Sequence, residues 1–348
     1  MYRDARALDP DVLPEALQRR DAALNQLTKA IAPLRDGRAP RPVRIQGPSG
    51  VGKTTVARFA VRQLRQSGTP VREAYVNLFS DNTRAAIFHA ILRDIGQGAR
   101  FDYRSPAVEL REEVRAAAST RPLVVVADEA AHVRTGDEAV YRELYEMPDL
   151  ALVLVDRDLD HLFAECARST ASRLREGPDV ALSRYSTDEL VEILDARVRA
   201  ALYDPDRVEP GARRLVAETV EGNARQGIVL LRAAVEHVEG TGRPVTTRTV
   251  TEIEADARTR LRDRALARLD SRYRLVYELL AADAPLTGTE LHERVERELD
   301  ASVTPRTRRR WVAYLRDLGL VRKEGETRNA TYRAVSPGSV SDRPTDPA

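Results

Sequence analysis

The sequence predicts an α/β core, a parallel sheet with helices on both faces, followed by an α-helical segment and a basic C-terminal winged helix-turn-helix. Three observations carry this. Short apolar runs alternate with amphipathic helical stretches between residues 40 and 183, a pattern that implies right-handed parallel crossovers and one doubly wound sheet. From Ser186 onward only helical periodicity remains. Between Thr304 and Arg333 nine basic residues stand against three acidic ones, on a helix-turn-helix with a hairpin after it.

At 348 residues the chain is long enough for two or three domains. Charged residues make up 32% and aromatics 5%, the balance of a soluble, helix-rich protein. No apolar run reaches membrane-spanning length, and the opening Met-Tyr-Arg-Asp-Ala-Arg has no signal-peptide core. Cys166 stands alone, so no intrachain disulfide is expected. These features give a cytoplasmic protein as the expectation. The histidines (His89, His132, His161, His237, His292) have no metal-ligand spacing along the chain.

Taken in order, a leader through Arg20 precedes a helix over 21–34, with Leu24, Leu27, Ile31 and Leu34 on one face. Val43 to Ile45 reads as the first strand. Directly after it comes Gly47-Pro48-Ser49-Gly50-Val51-Gly52-Lys53-Thr54, then an amphipathic helix from Thr55. Strand, glycine loop and helix in this spacing form a phosphate-binding P-loop. Backbone N–H groups and the helix N-terminus would cradle phosphate oxygens, Lys53 would reach the β- and γ-phosphates, and Thr54 would sit on Mg²⁺. A glycine turn with an incidental lysine is the competing reading. Lysine occurs elsewhere only at Lys29 and Lys323, and a chain that otherwise uses arginine keeps lysine where a compact charge is needed.

Residues 71–78 read as the second strand, with helices over 83–95 and 108–118 after it. Leu123 to Ala127 is an unbroken apolar run, as in a strand buried on both faces. It ends in Asp128-Glu129 at the sheet edge where such folds bind ligands. After a P-loop this pair reads as Asp128 holding the Mg²⁺ water shell and Glu129 activating the attacking water. A strand followed by an acidic helix cap is the alternative. Residues 150–155 and 180–182 complete the sheet.

Thr187-Asp188-Glu189 caps the first helix of the helical segment, which runs to about Leu202. Helices follow over 210–220, 223–238 and 247–269, and Arg225 falls in a first turn. The winged helix-turn-helix begins near Ser271. On its third helix Trp311, Val312, Leu315 and Leu318 face inward, while Arg306, Arg309, Arg310 and Ala313 share the other face. With Lys323 and Arg328 in the wing, this is an electrostatic footprint for phosphate backbones, so duplex DNA is the expected partner. A solvated arginine-rich surface, or a surface for a protein partner, would look similar. The tail from Ser336 is too polar to fold.

P-loop core, helical lid and winged helix in this order resemble the archaeal initiators of DNA replication, AAA+ ATPases related to the origin recognition complex. The leader from Leu13 to Arg20, the stretch Tyr75-Val76-Asn77, the lid residues Tyr185 and Arg197, and Gly222-Asn223-Ala224-Arg225 are similar to that family's motifs. The resemblance implies ATP/ADP and Mg²⁺ as ligands. The nucleotide would be held by Gly47, Gly50, Val51, Gly52, Lys53, Thr54, Thr55, Tyr185, Arg197 and Arg225, with the metal on Thr54 and Asp128. Catalysis would fall to Lys53, Asp128 and Glu129, with Arg168 or Arg173 donated to a neighbouring subunit. It also implies origin DNA as partner, nucleoid association, and self-association or a replicative helicase as further contacts. Departures are Asp156-Arg157, where the family carries an Asn, Ala131 in place of an acidic residue, and Arg184 before the lid tyrosine. They admit slow hydrolysis, and hence a nucleotide-gated DNA-binding regulator with little turnover. The expected domains are an ATPase core over 1–184, a lid over 185–265, a winged helix over 266–335 and a disordered tail over 336–348.

Overall fold

The computed structural model describes residues 1–101, 104–267, 269–283, 285–299, 303–325 and 330–335. Arg328 and the tail from Ser336 lie outside the described residues, and of Arg306 only the backbone is described. The chain divides into two compact units, Met1–Ile228 and Val229–Ala348.

The first unit is built on five strands, β1 (Val43–Gln46), β2 (Arg72–Asn77), β3 (Leu123–Asp128), β4 (Leu150–Asp156) and β5 (Asp179–Ala181). They form one parallel sheet in the order β2-β3-β4-β1-β5. Every residue of β3 and β4 is buried, as their unbroken apolar runs require of central parallel strands. Successive side chains feed opposite layers. Leu123, Val125, Ala127, Leu150, Leu152 and Leu154 pack on one side with the helices α3 (Arg84–Asp94) and α4 (Ala107–Thr120). Val124, Val126, Ala151, Val153 and Val155 pack on the other with α1 (Asp21–Ile31) and α2 (Lys53–Gln66).

Register decides where the chemistry falls. Asn77 of β2 pairs with Asp128 of β3, Asp128 with Val155 of β4, and Asp156 with Gln46 of β1. The loop after β1, the carboxylates ending β3 and Asp156 ending β4 therefore lie along one sheet edge.

The helix expected over 21–34 is α-helical only to Ile31; Ala32–Asp36 tightens to a 3₁₀ turn. Pro33 lacks the amide an α-helix would need there. Three short helices sit on the sheet's second half: α5 (Ala139–Tyr145), which no capping signal announces, α6 (Asp160–Glu165) and α7 (Arg168–Arg175). The helical segment begins with α8 (Thr187–Ala201), α9 (Pro210–Thr219) and α10 (Ala224–His237). The cap of α8 is Ser186, one residue before the expected Thr187. Its hydroxyl accepts from the Glu189 amide at 3.2 Å, and Glu189 Oε2 accepts from the Ser186 amide at 2.8 Å.

The division between units falls inside α10, whereas the sequence borders were expected after residues 184 and 265. The leader binds α8 and so draws the first lid helices into the first unit. The amide of Arg3 donates to Ala201 O at 2.7 Å, and Tyr2 bridges to Leu202. Arg19 Nε donates to Glu192 Oε2 at 2.6 Å.

The second unit contains α11 (Thr247–Ala267) and a winged helix made of α12 (Ser271–Asp283), β6 (Leu286–Thr287), α13 (Gly288–Leu299), α14 (Pro305–Asp317), β7 (Val321–Glu324) and β8 (Thr331–Ala334). The strands are antiparallel in the order β6-β8-β7. Thr304 caps α14 by accepting from the Thr307 amide at 3.1 Å, with Pro305 at the first helical position. Trp311, Val312 and Leu315 are buried with Tyr273, Val276, Leu280, Leu291 and Val295; Leu318 is half-buried. Among the described residues no helix is long and apolar enough to cross a membrane.

Candidate nucleotide site and nucleic-acid interface

The loop after β1 depends on glycine for two separate reasons. Gly47, Gly50 and Gly52 have φ of +148°, +77° and +88°, which disfavour a side chain. Space is also lacking: a Cβ on Gly47 would lie 2.1 Å from Leu182 O, and one on Gly50 1.9 Å from Asn223 Oδ1. The loop ends at Gly52, the N-cap of α2, where no side chain caps the helix. First-turn amides without a side-chain cap on a fourteen-residue helix fit a phosphate. Val51 is fully buried, and Thr55 lies in the first turn of α2.

Lys53 Nζ donates to Gly47 O at 2.8 Å and to Pro48 O at 2.9 Å, so the ammonium is folded into the loop that phosphates would fill. Burial pushes its pKa down, while Glu129, Asp128 and Asp156 pull it back up.

Thr54 Oγ1 and the Tyr75 hydroxyl donate to the same oxygen, Asp128 Oδ2, at 2.6 and 2.9 Å. A hydroxyl and a carboxylate at this separation suit a Mg²⁺ ion bound partly through water, so these residues fit the metal. Tyr75 comes from the adjacent strand β2 and positions Asp128; burial, then Asp128 itself, drives the phenol pKa upward. Its place on a strand was readable, its neighbour β3 and its partner Asp128 were not.

Glu129 follows with left-handed backbone, φ 54°. Burial first, then Asp156 and Asp128, lift its pKa to about 8. A carboxyl with such a pKa in the site is suited to taking a proton near neutral pH. Asp156 is nearly inaccessible and its pKa is raised by burial. Its Oδ1 accepts from the amides of Arg157 and Asp158 at 2.6 and 3.4 Å, and its Oδ2 from Ala131 at 2.7 Å. At this position the carboxylate fastens the turn after β4 to the turn after β3.

The lid motif meets the P-loop directly. The Arg225 amide donates to Gly50 O at 3.4 Å, and Asn223 Oδ1 caps α10 by accepting from Gln226 N at 3.1 Å. The Arg225 guanidinium pairs with Asp11 of the leader at 3.0 Å, and its charge bears on Glu129 and Tyr75. Tyr185 is buried beside Gly52; Arg20 stacks on its ring at 3.9 Å and donates to its hydroxyl at 2.9 Å. Arg20 also donates to Val51 O at 3.3 Å and to Ser183 O at 2.6 Å. The sequence puts Arg20 in the leader but gives no sign of this bridge between leader, P-loop and lid.

Arg197 is placed elsewhere than expected. Its guanidinium donates to the carbonyls of Ala7 and Val12 at 3.0 and 3.1 Å and more weakly to Asp9. Burial lowers its pKa. Its hydrogen bonds go to the leader and none to the P-loop, because α8 presents this position to the 3₁₀ turn Ala5–Leu8. Arg168 opens α7, and Arg173 pairs with Glu176 at 2.7 Å.

In the winged helix Arg309 is exposed with Nε bonded to Pro305 O at 3.2 Å, Arg310 is half-buried, and Lys323, Arg322 and Arg316 are exposed. Arg308 departs from the solvated basic set: it is buried and donates to Gly288 O, tying α14 to the start of α13.

A parallel sheet in this order, a P-loop leaving β1, an acidic pair ending β3 and a lid arginine at the loop define an AAA+ P-loop fold with helical lid and winged helix. Residues 38–164 match the family model of the AAA domain. Along nearly its whole length the chain is similar to ORC1-type DNA replication protein 9 of Halobacterium salinarum, 28% identical over 337 residues, covering 96% of this chain and 94% of the relative. ORC1-type DNA replication protein 1 of the same organism is 28% identical over 294 residues, covering 84% and 94%. The Aeropyrum pernix ORC1 protein, solved in complex with DNA, superposes with a TM-score of 0.71 at 25% identity, covering 97% of this chain and 93% of that one. The Aeropyrum pernix ORC2 protein, solved with ADPNP and ADP, gives 0.63 at 23%, covering 96% and 94%. The chain thus carries an AAA domain and is similar over nearly its whole length to archaeal ORC1-type DNA replication proteins.

Proposed function

We propose that this chain is an ATP-dependent initiator of DNA replication that binds origin duplex through its winged helix and its AAA+ core. The observation that carries the reading is the convergence of Lys53, Thr54, Asp128 and Glu129 on one sheet edge, with the lid residues Asn223 and Arg225 against Gly50. The similarity to ORC1-type replication proteins supports the substrate, duplex DNA.

In this reading Lys53 would turn from the Gly47 and Pro48 carbonyls to bound phosphates, and Arg225 would leave Asp11 for the γ-phosphate. Mg²⁺ would sit on Thr54 and Asp128, where bound metal neutralises phosphate charge. Glu129 would take the proton of the attacking water. Tyr185 and Arg20 would wall the pocket, with Arg197 acting through the leader it holds. Arg168 and Arg173 are candidates to complete a neighbouring copy's site. Arg306, Arg309, Arg310, Lys323 and Arg328 would contact the DNA backbone, and a replicative helicase or a second copy would be the protein partner. In this reading the lid would span 185–265 and the winged-helix domain 266–335.

A second reading has one observation in its favour. Asp156 holds its carboxylate on backbone amides and has no N–H to offer, so it cannot donate a hydrogen bond as an amide side chain would. A nucleotide-gated DNA-binding regulator with negligible turnover follows from that. Steady-state phosphate release with and without duplex DNA separates the two. Turnover that Glu129→Gln abolishes is the result expected of the initiator ATPase; wild-type release at background favours the regulator.

A further inference from the structure

We propose that Glu129, His132 and Asp156 form a binding site for a borderline transition-metal ion, Zn²⁺ or Co²⁺ in character, separate from the Thr54–Asp128 pair suited to Mg²⁺. The three donors come from different elements: the residue after β3, the 3₁₀ turn Ala130–His132, and the last residue of β4. Parallel pairing of β3 with β4 brings those ends together. One ligand atom from each lies within 4.8 Å of the others. His132 Nδ1 is 3.6 Å from Glu129 Oε2. Two ligands each about 2.1 Å from one ion at a near-tetrahedral angle stand roughly 3.4 Å apart, so little movement is needed.

The surroundings support the set. Asp156 Oδ2 accepts the Ala131 amide at 2.7 Å, which orients it and leaves the oxygen a second lone pair. The Tyr141 hydroxyl donates to Ala130 O, holding the turn that carries His132, and Phe79 packs edge-on against the imidazole at 5.5 Å. Metal sites depend on such outer partners to hold their ligands in place. The donor chemistry selects the ion: imidazole with carboxylates suits Zn²⁺, Co²⁺ or Mn²⁺, whereas Mg²⁺ prefers oxygen ligands and water. If Glu129 is the base of the proposed hydrolysis, a metal here would withdraw it; that consequence rests on the functional reading, the binding site does not.

Untagged full-length protein, stripped with chelator and free of nucleotide, is titrated with Co²⁺ and followed by visible d–d absorption and equilibrium dialysis. A single Co²⁺ per chain is expected, displaced by Zn²⁺ and unmoved by excess Mg²⁺. His132→Ala and Asp156→Asn should each weaken uptake at least about tenfold. Thr54→Ala should retain it. Should alanine unfold the turn, His132→Gln checked by circular dichroism replaces it. No retained cobalt in the wild type, or uptake by folded His132 and Asp156 variants equal to wild type, overturns the site. ATP retention by the same preparations reports on the P-loop separately, so failure of one reading is distinguishable from failure of the other.

Discussion

Glu129 sits where burial and two neighbouring carboxylates resist its ionisation, and its pKa of about 8 has a consequence for stability. A carboxyl whose folded pKa lies above its unfolded value contributes stability that is full below the unfolded value and lost as pH rises through the folded one. Nucleotide-free wild type and Glu129→Gln should therefore unfold at similar temperatures near pH 5. The glutamine variant should become the more stable of the two as pH rises toward 8.5. Calorimetry across that range checks the sign. Arg308 presents the opposite case, a buried cation on a carbonyl. Arg308→Ala should destabilise the winged helix by about 2 kcal/mol in chemical unfolding, because the Gly288 carbonyl loses a charged donor. The P-loop was legible residue by residue because its spacing is dictated by phosphate geometry. Arg308 was not, since three successive arginines look alike until the helix phase assigns one of them to the interior.

Elements whose signal is local were read most completely. The central strands β3 and β4 announced themselves by unbroken apolar runs, and Thr304-Pro305 marked the start of α14. Where two capping residues adjoin, composition alone misassigned the cap by one position, from Thr187 to the true Ser186. Ser186→Ala removes the hydroxyl half of the capping box and should cost about 1 kcal/mol in unfolding free energy. Helix α5 and the lid–leader contacts escaped because they depend on tertiary partners that lie far away in sequence. For the basic face of α14, two exposed or half-exposed arginines set the expectation. On mixed-sequence duplex, replacing Arg309 and Arg310 by alanine should reduce the slope of log affinity against log salt by about 1.8, near 0.9 for each phosphate no longer neutralised. A slope unchanged by the double variant would point to a protein partner for this face.

At the scale of the whole chain, the leader, the sheet edge and the first lid helices belong to one unit. Arg197, Arg20 and Arg225 each link two of these parts by hydrogen bond or ion pair. This linkage was the least legible feature, since no spacing in the first twenty residues specifies what they touch. A ligand bound at that junction should stabilise the first unit in particular. MgATP at a hundredfold excess over its dissociation constant should add about 2.7 kcal/mol, or roughly 5–10 °C, to the transition that reports this unit.

The central claim is that a nucleoside triphosphate lies in the loop after β1 with its phosphates on Lys53 and the amides of α2. Retention of labelled ATP on filters by wild type and Lys53→Ala tests it most directly. Micromolar or tighter retention is expected of the wild type and at least a tenfold loss of the variant, a deficit of about 1.4 kcal/mol or more. Equal retention by the two proteins would contradict it.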